Sequence, residues 1–193
     1  RLAANVAASL PPHEWPMPHP WTSTFPGLPA ETATPSSLSA SLDLKWSGAR
    51  PLGAYAAPGT IVKVTVPESI VDSGYIIRVG ELYDDLRSID GIDSWKRAPM
   101  MRQEFPVNQT TLLVGNPLGG NISLVVPKEQ SGEIEVAIDN ALTMLVYTRG
   151  ESQASDWQPG LDNGTPQVIL QDRGHVRMVV FTDGAKAVTD PDA

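Results

Sequence analysis

No cysteine occurs in the 193 residues. That excludes disulfide staples, thiol catalysis and a cysteine-based zinc ribbon. It leaves the compartment open, because cysteine-free chains are found among exported and cytosolic proteins alike. Histidine is almost as scarce, with three residues, so few imidazoles are available to hold a metal or act as a base. Positive charge is in deficit: 14 Lys and Arg stand against 22 Asp and Glu, for a net charge of −8. The basic residues are scattered rather than gathered into the patch that phosphate binding needs, which argues against a nucleic-acid partner. No apolar run approaches the roughly 20 residues of a membrane span, and no repeat of fixed period is visible. The chain starts without Met and without a signal-peptide pattern, so the expectation is a piece of a longer polypeptide.

Proline is abundant, with 18 residues, eight of them between positions 11 and 35. "RLAANVAASL" (1–10) reads as a short Ala-rich helix. The Pro-rich stretch that follows reads as an irregular or polyproline-like connector. Trp15, Trp21 and Phe25 are interleaved in it, and such aromatics suit a segment that packs along a surface. Residues 31–41 continue small and polar.

The pattern then changes to short runs of period two. These are "SLDLKW" (41–46), "TIVKVTV" (60–66), "YIIRV" (75–79), "TTLLV" (110–114), "NISLVV" (121–126), "EIEVAI" (133–138), "LTMLVYT" (142–148), "QVILQ" (167–171) and "HVRMVVF" (175–181). Turn residues separate them, as in "APGT", "NPLGG", "EQSGE" and "DNGT". Only "ELYDDLRSIDGIDSW" (81–95) suits a helical turn or two. Many short strands without intervening helices predict an all-β, antiparallel, jelly-roll-like β-sandwich, carrying a short N-terminal helix and a Pro-rich extension. The expected organisation is a helix and connector over 1–41, the sandwich over 42–182 and a polar linker over 183–193.

Several segments invite a chemical reading. "HEWPMPHP" (13–20) evokes a zinc-peptidase helix. But His13 and His19 are six apart, roughly 240° around a helix, and Pro16 and Pro18 prevent a regular helix between them. The segment reads as connector, not metal site. Glu81, Asp84, Asp85, Asp90 and Asp93 form an acidic cluster, yet counting back from Gly91 puts Leu86 where a calcium ligand is required. It reads as a solvated acidic loop. No G-x-S-x-G is present, and His175 falls within an alternating strand, so a serine hydrolase has no support. "GNPLGG" (115–120) lacks the Lys and helix of a phosphate loop and reads as a tight turn into a strand. Asn108 and Asn121 each begin an N-x-[ST] sequon. Trp95, Arg97 and Trp157 lie in segments read as loops, where an indole face can stack on a sugar ring. They are the candidate glycan or partner contacts, against a competing reading that buries Trp95 in the core. No catalytic residue and no metal ligand is assigned.

Four segments, in order, carry a resemblance: "LGAYAAPGTIVKVTVPES" (52–69), "VGELYDDL" (79–86), "WKRAPMMRQEFPV" (95–107) and "GNPLGGNISLVVP" (115–127). Together they resemble the region that precedes the catalytic domain in the enhancin-like, mucin-targeting zinc metallopeptidases (peptidase family M sixty). Secreted bacterial immunomodulating metalloproteases are the nearest members. Nothing in residues 128–193 matches the family's H-E-x-x-H helix. The resemblance therefore implies a non-catalytic accessory sandwich of a secreted enzyme that cleaves O-glycosylated, mucin-like proteins. It also implies zinc in a following peptidase domain rather than here. The partners so implied are that peptidase domain and host mucin-like glycoproteins. A domain of another class, an autonomous carbohydrate-binding module, would instead hold affinity by itself.

Overall fold

The computed structural model describes residues 20–23, 25–83, 101–157, 161, 164–172 and 176–185. The expected helix at 1–10, the 84–95 part of the expected helical turns, and the linker beyond residue 185 lie outside the described residues. The described residues form eleven strands: β1 (Ser36–Asp43), β2 (Gly48–Ala56), β3 (Val62–Thr65), β4 (Ile76–Val79), β5 (Gln103–Pro106), β6 (Thr111–Val114), β7 (Gly120–Val126), β8 (Glu133–Thr143), β9 (Val146–Arg149), β10 (Gln167–Asp172) and β11 (Val176–Phe181). Helix among the described residues is limited to 3-10 turns and the four-residue turn Thr182–Ala185. The protein is all-β, as the alternation predicts, and β1 begins at Ser36, earlier than the expected boundary at 42.

Two sheets face each other. The first runs β1-β8-β3-β6 and the second β5-β4-β7-β2-β8, so β8 belongs to both. Its residues up to Ala141 pair with β1 and β3, while Leu142 and Thr143 pair with β2. The change of sheet occurs around Asn140, which adopts φ 66° and donates from Nδ2 to the Ile61 carbonyl at 2.8 Å. A strand that switches sheets through such a local bend makes a corner of the sandwich. The register of β1 against β8 shifts at the same place, between Ser36 and Leu38.

Between the sheets lies the main core. Leu42, Val62, Val64, Leu112, Val114, Ile134, Val136 and Ile138 meet Ile77, Val79, Ile122, Leu124 and Ala54. Each of these alternates with an outward residue, and burial of one face per strand is what sets the period of two. Outward residues of the first sheet are mostly polar: Ser39 donates to Glu135, Ser41 to Glu133, and Lys63 pairs with Asp139 at 2.8 Å. The strands of the second sheet depart from this simple picture, and β7 is buried along nearly its whole length. β2 carries Pro51 and is buried on both faces around Ala54 and Tyr55, and its pairing with β7 skips two residues between Pro51 and Ala54. β5, "QEFP", is a short, polar edge strand.

A third, smaller sheet runs β11-β10-β9. β10 and β11 are antiparallel, whereas β9 and β10 are parallel, the one departure from an antiparallel arrangement among the described residues. This sheet covers the outer face of the second one. Ile169 packs with Tyr55, Leu142 and Met144, and the backbones join where Met144 N–H donates to Gly53 at 2.9 Å. A parallel pair requires a crossover connection, and the one from β9 to β10 lies over the sheet's other face. There Trp157 and Leu161 pack on Tyr147 and Val168.

Candidate functional site

The described parts of the four segments that carry the resemblance converge at one end of the second sheet. Asn116, in the turn before β7, is buried and donates from Nδ2 to the carbonyls of Val79 (3.1 Å) and Met101 (3.0 Å). Its Oδ1 accepts from Leu118 N–H at 2.9 Å, and its carbonyl accepts from Gly59 N–H at 3.0 Å. One amide side chain thus ties the end of β4, the approach to β5 and its own turn. Backbones approach so closely here that side chains are shut out. A Cβ on Gly80 (φ 82°) would lie 2.1 Å from the Met101 carbonyl oxygen, and one on Gly120 (φ 145°) 2.6 Å from Gly80 Cα. "NPLGG" is a tight turn, as read from the sequence, and it is also the centre of this node.

Beside the node, on the outer face of β4 and β7, sits a polar network. Glu81 Oε1 accepts from Ser123 Oγ (2.7 Å) and Asn121 Nδ2 (2.9 Å), and Asn121 Nδ2 also reaches Ser123 Oγ at 2.9 Å. Arg78 donates from Nε to Glu104 at 3.0 Å and from an Nη to Glu81 at 3.4 Å. Arg102 approaches Glu104 at 3.3 Å and stacks over the Tyr83 ring at 4.0 Å. Two guanidinium groups and two carboxylates balance, and Ser123, fully buried, spends its hydroxyl on Glu81. Asn121 Oδ1 and the hydroxyl of its cross-strand neighbour Tyr55 are buried without a hydrogen-bond partner among the described residues. Burial alone pushes the Tyr55 phenol far above its ordinary value. The arrangement locks strands together. Replacing Glu81 by Ala should cost about 2 kcal/mol, because Ser123 and Asn121 stay buried with donors unsatisfied; urea unfolding read by circular dichroism measures it.

The aromatic residues marked in the sequence fall in different places. Trp157 is 2% exposed, its ring edge-on to Tyr147 with centroids 5.3 Å apart. That corrects its assignment as a glycan contact. The segment it occupies is the parallel crossover, which must lie against the sheet, so the indole faces inward. Trp95 and Arg97 lie outside the described residues, as do Trp15, His13, His19, His175 and the acidic residues from Asp84 to Asp93. Trp21 lies in the 3-10 turn Pro20–Ser23. Phe25 is half-buried on Met101, Leu118 and Leu82, and its ring lies 4.6 Å from that of Phe181. The connector thereby clamps β11 to the node, over a small cavity lined in part by Phe25, Gly80, Glu81, Gly120 and Gln167. It is held again where Ala30 N–H donates to the Gly164 carbonyl at 2.8 Å. Of the two sequons, Asn108 is exposed and Asn121 is wholly buried.

Among the described residues no three His, Cys, Asp or Glu side chains converge in a way that could hold a metal. These residues do not fit a zinc ion. No helix among them is long and apolar enough to cross a membrane. What sequence reasoning missed is Glu81. It stood within a run of acids that read as solvated, and nothing local distinguished it, because its partners lie some forty residues further along the chain.

The sequence profile for the N-terminal domain of M60-like peptidases matches residues 31–139, more than half of the chain. A TRPM8 channel-associated factor homolog of Danio rerio is 30% identical over 106 residues, covering 54% of this chain and 11% of that protein. Among solved structures, IMPa from Pseudomonas aeruginosa in complex with an O-glycopeptide superposes with a TM-score of 0.61 at 17% identity. The match covers 80% of this chain and 18% of the other. The M60 catalytic domain with two CBM51 domains from Clostridium perfringens ZmpB gives a TM-score of 0.55 at 13% identity, covering 80% and 20%. This chain therefore spans about a fifth or less of each of these proteins, and at such identities the structural likeness establishes the fold.

Proposed function

Because this chain belongs to the family of N-terminal domains of M60-like peptidases, we propose that it is the accessory, non-catalytic β-sandwich of a secreted zinc metallopeptidase acting on O-glycosylated, mucin-like proteins. In this reading it supports the peptidase domain and its substrate surface. Zinc and the hydrolytic residues belong to the peptidase domain. The observation that carries the proposal is the node. Gly80, Asn116, Gly119 and Gly120 lie in the segments that carry the resemblance, and they are spent on backbone contacts at the end of a sheet. Buried turn residues of this kind fit a scaffold better than a chemical centre. Related sequence in M60-like peptidases and in a protein named as a TRPM8 channel-associated factor homolog is also what a reusable scaffold would show, since function resides in sites grafted on folds. A solitary glycan-binding module is less well supported, with Trp157 in the core.

The test removes residues 36–185 from the parent enzyme and assays a short soluble O-glycopeptide and a whole mucin. A supporting domain whose loss shifts catalytic groups by about 1 Å costs roughly 100-fold in rate, and the loss should appear on both substrates. Unchanged rates on both would overturn the proposal. Loss on mucin alone would favour the binding module.

A further inference from the structure

The two seams of this three-layer stack differ in how well they are filled. Leu, Ile, Val and Ala make up nearly all of the cluster between the first and second sheets. Between the second and third sheets, Tyr55, Leu142, Met144 and Ile169 form a much smaller cluster. The Tyr55 hydroxyl lies in this seam, and Asn121, its cross-strand neighbour, faces the same side. The hydroxyl and Asn121 Oδ1 are both buried without a hydrogen-bond partner among the described residues. Two cavities border the same seam. One is the small space beside Phe25 and Gln167. The other, of about 210 Å³, is lined by Ala33, Thr34, Leu142, Thr143 and Thr165. Tyr55 and Asn121 line neither, so water held in these cavities does not reach the two atoms.

We infer that the third sheet is a cover that opens as a unit in the native protein and bares the Tyr55–Asn121 face of the second sheet. A buried polar atom without a partner carries its full desolvation penalty. Opening relieves that penalty at both atoms, because each gains water. The apolar core between the first two sheets only loses by exposure, so it stays closed. The cover is held shut by Ile169 on Tyr55 and Leu142, and by Gln167 Oε1, which accepts from the Asn121 N–H at 3.0 Å. Phe25 is the latch, since it bridges Phe181 of the cover and Met101 and Leu118 of the node. The hydrogen bond from Met144 to Gly53 and the chain from β8 to β9 stay in place as the hinge, so the layers part without sliding. Opening of one contiguous element below the cost of global unfolding is how a cooperative subunit of a fold behaves.

Amide exchange followed residue by residue in mild denaturant tests the proposal, with Asn121 as the reporter. It belongs to β7 but gives its N–H to Gln167 of the cover. Leu124, in the same strand, is paired with both β2 and β4. The Asn121 amide should exchange together with that of Ile169, about a hundredfold faster than those of Leu124 and Val64. Exchange of Asn121 and Ile169 at the slow rate of Leu124 and Val64 would overturn the inference. Tyr55→Phe gives an independent measurement, because it keeps the ring and removes the hydroxyl that opening hydrates. It should slow exchange at Asn121 and Ile169 about tenfold. Val64 should slow by the same factor, since global unfolding hydrates the hydroxyl as well. Slowing at Val64 alone would show that Tyr55 stays buried while the third sheet exchanges. No slowing at any position would show that the hydroxyl is satisfied in the closed state. Either result defeats the proposal.

Discussion

Trp157→Ala should lower the stability of the third sheet by about 3–5 kcal/mol, the usual cost of emptying a core position of an indole. The residue is 2% exposed and closes a cluster of Tyr147, Leu161, Val168 and Ala185. That cluster is small and separate from the main core, so the loss should be regional. Amide exchange would accelerate through β9, β10 and β11 and change little in β3 and β7. Hydrogen exchange resolved by peptide, together with urea unfolding, measures both parts. A variant within 1 kcal/mol of the parent would mean that Trp157 does not hold the layer. A residue that served glycans would show the opposite pattern, unchanged stability with lost affinity.

Gly80→Ala is expected to cost about 3 kcal/mol or more. Two effects add: φ of 82° is strained for any residue with a Cβ, and the new methyl would lie 2.1 Å from the Met101 carbonyl oxygen. Backbone must move to relieve that contact, and the backbone in question is held by Asn116 through two hydrogen bonds. Gly132→Ala supplies the comparison. It shares a positive φ of 90° but meets nothing within 4 Å, so it should lose only the conformational term, about 1 kcal/mol. Equal losses at the two positions, read by urea denaturation, would remove the steric argument for the node.

The legible part of this fold was the part where one face of a strand is buried and the other wet. β3, β6 and the first half of β8 alternate cleanly, and each stands in the sheet whose outer face meets solvent. β2 lacks that signature for a physical reason. Its outer face is covered by the third sheet, so Tyr55 is as buried as Ala54 and Ala56, and Pro51 marks the irregularity in its pairing. The run Glu133–Thr143 read as a strand and the start of another, because Asn140 carries a turn conformation inside a continuous strand. The third sheet was hidden by its parallel pairing, which no local pattern encodes, and Trp157 was misplaced with it. At the node, the Gly and Asn residues were visible as turn formers. Their convergence was not, since it depends on contacts between residues 80, 101 and 116 that are distant in the chain.

The passage of β8 from one sheet to the other has a mechanical meaning. Two stacked sheets joined only by side-chain contacts can slide, as layers in a deck do. Here β8 itself carries main chain and its ladder hydrogen bonds from one sheet into the other through Asn140, so a force that pushes one sheet along the other also strains backbone at that corner. The third sheet is stitched to β2 at Gly53, directly beside that corner. A load placed on the third sheet therefore reaches the far side of the sandwich through main chain, and the stack resists it as one stiff beam.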